Sequence, residues 1–168
     1  MAEMRDLLAR IDASWTELGE TIDSLGPAGL TITGADGGWA VKDHLVHIGA
    51  WELLLLGLLE GRERNEAMGI SVADDASTDV VNDAVWQLHR HETPEQAMDY
   101  FKAAHEQLEA GLARLKPGDL ERPYSYYRPA TADRDGTDRP VMEWVAGNTY
   151  EHYAEHIAWI GDLAAKRI

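Results

Sequence analysis

An all-α fold is what this sequence predicts: a bundle of four long helices with one short extra helix and a long tyrosine-rich loop before the last. Three features carry that reading. Apolar residues recur at alternating three- and four-residue spacings over four long segments, the period of an amphipathic helix. No stretch has convincing strand character, and there is no internal repeat or low-complexity segment. Proline, glycine and capping residues punctuate the chain between the periodic stretches. At 168 residues, 1–168 reads as one domain, large enough to bury a core without staples.

The first helix spans Ala2 to Leu25, where Met4, Leu8, Ile11, Trp15, Leu18, Ile22 and Leu25 form a single stripe before Gly26-Pro27 stops it. After a Gly-rich loop to Gly38, the second helix runs from near Ala40 to about Arg62. Its apolar residues cover well over half the circumference, which makes the helix either central or part of a subunit interface, and a homodimer is the expectation drawn from it. Trp39 stands at the loop-to-helix junction, placed to staple the start of that helix. Glu63 to Ser77 reads as a loop and Thr78 to Arg90 as the short helix.

Thr93-Pro94-Glu95-Gln96 is a start signal, with an N-cap threonine, proline at the first helical position and glutamine at N3. The third long helix then continues to about Lys116, ahead of Pro117-Gly118. Asp119 to Arg139 is polar and aromatic, with Tyr124, Tyr126, Tyr127 and an Asp135-Gly136 turn, and reads as an ordered loop or small hairpin. Pro140 opens the last helix, which extends almost to the C-terminus.

Composition excludes several classes of function. With no cysteine, disulfides, thiolate metal sites and cysteine nucleophiles are absent. A net charge of -15 argues against binding a nucleic-acid backbone, which needs clustered Lys and Arg. The longest apolar run, Leu53 to Leu59 with Gly57 inside it, falls far short of the roughly 20 residues a bilayer requires. Glu3 and Asp6 sit where a secretory leader would be cationic. The expectation is a soluble, cytoplasmic protein with no membrane partner.

The chemistry concentrates in Asn148 to Ile160. As helix, His152 and His156 are four residues apart and project about 40° from one another, on the arc of Met142, Val145, Ile157, Ile160 and Leu163. Two imidazoles aimed at an interior either hydrogen-bond to core partners or hold a metal. A reactive zinc, nickel or iron centre commonly takes three protein ligands plus water. The second helix offers His44 and His47 for the third, and periodicity does not choose between them. His152-Tyr-Ala-Glu155-His156 also fits the His-x-x-Glu-His pattern of inverted zinc peptidases, but Glu155 falls on the polar flank and no second helix supplies the carboxylate ligand. His89, His91 and Glu92 read as a solvated helix end, and His105 as an exposed flank residue.

Gly38 to Glu52 (Gly-Trp-Ala-Val-Lys-Asp-His-Leu-Val-His-Ile-Gly-Ala-Trp-Glu) resembles the second-helix signature of the DinB-like (YfiT-type) superfamily, and Asn148 to Ile157 is similar to its last-helix signature, especially in the ClbS/DfsB branch. The resemblance covers essentially the whole chain. It implies a four-helix bundle, often dimeric, that holds a divalent metal with three histidines: His47, eight residues after Trp39, with His152 and His156. His44 then occupies a usually apolar position. Ala40 stands where the family commonly has a capping serine, a loss of about 1 kcal/mol at the helix start.

The metal implied is Zn, Ni, Fe or Mn, with metal-activated water in place of a catalytic side chain. The activity implied is that of a hydrolase, or of a transferase that passes an exogenous low-molecular-weight thiol to a small electrophilic substrate. The alternatives are a ClbS/DfsB-like, metal-independent resistance protein that opens a strained ring, or a binding bundle without enzymatic activity.

Overall fold

The structure, a computed structural model, describes residues 2–34, 38–73, 75–129 and 138–165. Helices α1 (Ala2–Leu25), α2 (Val41–Leu59), α5 (Pro94–Leu112) and α8 (Tyr150–Ala165) are the long members of the bundle. Between them lie a 3-10 turn (Pro27–Thr31) and the shorter helices α3 (Arg64–Met68), α4 (Thr78–His89), α6 (Tyr124–Tyr127) and α7 (Val141–Gly147). Among the described residues there is no strand, only two isolated antiparallel bridges, Thr33 with Ala40 and Pro123 with Pro140. The fold is the all-α bundle that the apolar periodicity predicts.

Local chemistry accounts for most boundaries. Gly26, at a φ of 64°, turns the chain out of α1 where the stripe ends. Thr93 caps α5 as predicted: its hydroxyl accepts from the Gln96 backbone N–H, while the Thr93 backbone N–H donates to the Gln96 side chain. At α2 only half of such a box exists. Ala40 has no oxygen to offer, but its own N–H donates to Asp43 Oδ2 at 2.9 Å. Trp39 supplies the staple, its ring 5.4 Å from that of His44 in the first turn of α2.

Several boundaries differ from the sequence reading. α2 and α5 end at Leu59 and Leu112, several residues before Arg62 and Lys116. The stretch from Glu63, expected to be loop, contains α3; five residues are too few to show a helical period, and α3 is held instead by burying Ala67 and Met68. Gly57 makes room for it, since a Cβ there would lie 2.5 Å from Ala67 Cβ. The last helix is broken at Asn148-Thr149, where both side chains bond back to carbonyls one turn earlier, Asn148 Nδ2 to Trp144 O and Thr149 Oγ1 to Val145 O. The tyrosine-rich segment forms the short α6 beside the Pro123–Pro140 bridge, and the expected Asp135-Gly136 turn lies outside the described residues.

The main core gathers Ile11 and Leu18 of α1, Leu45 and Leu55 of α2, Phe101 and Leu108 of α5, Val145 of α7 and Ile160 of α8. Each such side chain removed from water contributes roughly 1.5–3 kcal/mol before entropy is counted. A second apolar cluster joins Val46 and Ala50 of α2 to Met68, Val81, Val85 and Ala97. α2 is therefore central, buried on two sides. Part of the apolar arc from which a dimer is expected packs within the chain on α3, α4 and α5, while Trp51, Leu53, Leu54 and Leu59 stay partly exposed.

Inside this core lies a carboxylate. Glu52 of α2 has no exposed surface. Its Oε1 accepts the Tyr153 hydroxyl of α8 and lies 2.9 Å from Nδ1 of His105 on α5. Trp15 of α1 stacks on His105 with ring centroids 3.5 Å apart and planes 5° from parallel. His105, expected to be exposed, is buried by that stack. Replacing Glu52 with alanine strands two buried donors, and is expected to cost about 3–5 kcal/mol. Urea unfolding measures it; a loss below about 1 kcal/mol would show the cluster to be incidental to the fold.

Candidate metal centre

His44 and His47 lie on the face of α2 that meets α8, and both are buried. From α8, His156 is fully buried and His152 half-buried. Nε2 of His47 and Nε2 of His152 are 3.0 Å apart, and Nε2 of His156 is 3.1 Å from Nε2 of His152. The three residues form a group able to hold a metal ion, with one ligand atom of each within 4.8 Å of the others. His44 is outside it, on the far side of His156, Nδ1 to Nδ1 at 2.9 Å. Of the two histidines that periodicity left open, His47 falls within this group and His44 beside it.

The donor set fits a metal. Nitrogens sharing one ion at ~2.1 Å stand about 3.0–3.4 Å apart, matching both measured separations. Coordination needs neutral imidazole, and the protein enforces that form. Burial, helped by the neighbouring His152 and His44, lowers the His47 pKa to about 3. Burial lowers His152 to about 4, and lowers His44 to about 4 against the opposing pull of Asp43. His156 is pushed down by burial and then by the surrounding His152, His47 and His44. Nδ1 of His47 and of His152 are buried with no partner among the described residues.

A cleft of about 370 Å³ opens over His47 and His152, walled by Trp39, Trp51 and Trp159 and edged by Thr78, Asn82, Asn148 and Glu155. Trp51 is held by its Nε1–H, which donates to Asn82 Oδ1 of α4 at 3.0 Å. Trp39 lies 5.0 Å from the His47 ring and Trp159 4.8 Å from the His156 ring. Three large aromatic walls restrict water around the imidazoles while leaving a mouth for a small molecule. Glu155 is exposed at the rim, and the third histidine replaces the carboxylate that the inverted-peptidase pattern requires. A larger groove of about 530 Å³, near Met4, Leu115 and Met142, contains no histidine.

The remaining histidines are placed elsewhere. His89 pairs with Glu92, Nδ1 to Oε1 at 2.7 Å, and packs on Tyr100, so the helix end is more ordered than a solvated terminus. The Glu52–His105–Tyr153 cluster is the part of the interior the sequence reading missed. Its signal was present in Glu52, a carboxylate between Ile48 and Leu55 on the apolar arc of α2.

Fold and site together define an all-α bundle with a candidate three-histidine metal centre between two of its helices. The chain belongs to the DinB superfamily, whose sequence model matches residues 10–160. No curated protein matches it. Crystal structures that share the fold include the following three. One, of a protein from Streptococcus pneumoniae, has a TM-score of 0.73 at 13% identity, over 95% of this chain and 88% of that one. An uncharacterised protein from Escherichia coli UTI89 has a TM-score of 0.69 at 14% identity, over 98% and 94%. The colibactin self-resistance protein ClbS, in complex with a double-stranded DNA, has a TM-score of 0.64 at 16% identity, over 95% and 94%.

The buried imidazoles make the metal-free protein sensitive to acid. Free histidine titrates near 6.5, whereas His44, His47 and His152 titrate at about 3 to 4 when folded. The unfolded chain therefore binds protons that the folded chain refuses, and stability rises with pH. This contribution is present in full above about 6.5 and is lost as pH falls toward about 4. In chelator, the thermal midpoint should drop between pH 7 and pH 5, and His47→Phe should flatten that dependence. A midpoint insensitive to pH over this range would contradict the burial.

Proposed function

We propose that the chain is a single-domain, metal-dependent enzyme in which His47, His152 and His156 hold one divalent transition metal. The substrate is a small electrophilic molecule, and the reaction is hydrolysis or transfer of an exogenous low-molecular-weight thiol. One observation carries the reading: three neutral imidazole nitrogens, spaced 3.0 and 3.1 Å across two helices, beneath a cleft walled by tryptophan. When bound, zinc, nickel, iron or manganese supplies the Lewis acidity that activates water or a thiol. The protein's own residues do the rest. His47 and His152 border the cleft, Trp39 and Trp51 exclude bulk water, and Asn82 fixes Trp51. Asn148, Thr78 and Glu155 offer hydrogen-bonding groups at the rim. Because the chain has no cysteine, any thiol must come from outside.

A second reading, a resistance protein acting on a strained ring without metal, is supported by the fold shared with ClbS. That relative's structure holds double-stranded DNA, whereas the charge of -15 here opposes contact with a polyanion. No helix among the described residues is long and apolar enough to cross a membrane, and a cytoplasmic location is part of the proposal.

His47→Ala should abolish stoichiometric uptake of zinc, nickel, iron or manganese in purified, dialysed protein while leaving the circular dichroism helical. A folded wild type that takes up none of these metals would remove the metal reading and leave the resistance reading in front. With a labelled duplex at low salt, fluorescence anisotropy should show no saturable binding; saturable, salt-sensitive binding would overturn the exclusion of nucleic acid.

A further inference from the structure

We infer that His44 is a positioning residue that holds His156 in its Nδ1–H tautomer and so turns the free lone pair of His156 Nε2 toward His47 and His152. The inference deepens the proposed metal reading and rests on those three residues as ligands. A neutral imidazole carries one proton on two nitrogens, and the partner of one nitrogen decides which is free. His156 is fully buried, and both of its ring nitrogens have a partner within hydrogen-bond distance. Its Nε2 faces the other two ligands, 3.1 Å from His152 Nε2, and its Nδ1 faces His44 Nδ1 at 2.9 Å. If His44 donated, the His156 proton would sit on Nε2 and no lone pair would face the site. If His44 accepts, the proton sits on Nδ1 and Nε2 is free to bind.

The other two ligands have no such device. Nδ1 of His47 and Nδ1 of His152 are both buried without a partner among the described residues. His156 is therefore the ligand fixed in advance, and the other two close on it. His44 is itself held, its ring 5.4 Å from that of Trp39 and 6.1 Å from that of Trp159. A ligand histidine commonly donates its second N–H to a carboxylate or carbonyl, and removing that partner costs roughly 10–100-fold in metal affinity. Here the acceptor is a neutral ring, which orients without adding negative charge.

The test uses the full chain, zinc as the probe, and two variants. Nitrogen-15 spectra of the histidine rings in chelator-treated wild type should show His156 as the Nδ1–H tautomer. His44→Phe keeps ring shape without an acceptor. It should move His156 toward the Nε2–H tautomer and weaken zinc binding roughly 10–100-fold in a chelator competition, with helicity retained. His44→Asn places an amide oxygen near the lost Nδ1 and should recover most of the affinity. A wild-type His156 carrying its proton on Nε2 overturns the inference, as does His44→Phe binding zinc as tightly as wild type. If the wild type takes up none of zinc, nickel, iron and manganese, the proposed function falls, and the tautomer in wild type against His44→Phe still decides the role of His44. Should His44→Phe unfold, the wild-type ring spectrum decides alone.

Discussion

A carboxylate sealed in an apolar core is the constraint on which the arrangement of the long helices turns. Stripping water from an ionisable carboxyl is costly unless fixed donors replace it. For Glu52 they come from two other helices, the Tyr153 hydroxyl of α8 and the His105 ring of α5, both at Oε1. Trp15 of α1 closes over the His105 ring and also meets Tyr153 edge-on at 5.7 Å. Three of the long helices thus meet at one oxygen, and α1 packs over the two rings that reach it. Burial, only partly offset by the hydrogen bond and charge of His105, holds the Glu52 pKa above its ordinary value. Oε2 has no partner among the described residues, so a slide of α8 along α2 would break the only satisfied half of the group.

That fixed point sets the register in which the histidines meet. Along α2 the polar side chains come in the order His44, His47, Glu52, and along α8 they answer as His156, His152, Tyr153. The two histidine pairs run in reverse order, as antiparallel helices demand, while Tyr153 is the neighbour of His152 in sequence; each pair is a direct polar contact. The α2–α8 seam is polar over this length, whereas apolar burial is concentrated where α2 meets α5 and where α1 joins the core. Packing energy comes from one set of seams and chemistry from another. This is why one carboxylate and four imidazoles with little or no exposed surface, Glu52, His156, His105, His47 and His44, are tolerated in a chain of this size.

Much of this was legible in the sequence, and what was not has a physical reason. α1 follows its stripe from Ala2 to Leu25, and α5 begins at its capping box, because local periodicity and capping act over a few residues. The break at Asn148-Thr149 was hidden because both neighbours look helical; only the side chains' return to Trp144 and Val145 carbonyls reveals it. His152 and His156 were visible as an i, i+4 pair. Between His44 and His47 periodicity was silent, since both fall on a face that is buried whichever way α2 turns. His105 was read as exposed because a helical wheel shows nothing of the Trp15 ring that another helix lays over it. The buried cluster needed only one observation to be found, that Glu52 lies on the apolar arc.

The electrostatics of the site point one way on ligand chemistry. Three neutral imidazoles cancel none of a dication's charge, unlike a ligand set containing carboxylates. Among the described residues no Lys or Arg lines the cleft, and the one formally charged side chain there, Glu155, stands exposed at the rim. With a metal in place, positive potential in the cleft would come from the ion alone, screened from water by Trp39, Trp51 and Trp159. A small anionic donor, a thiolate or a polarised oxygen, would then be drawn chiefly to the ion. A long polyanion meets instead a chain with 30 acidic against 15 basic residues. The same charge distribution that would favour a small nucleophile in the cleft therefore disfavours nucleic acid on the surface.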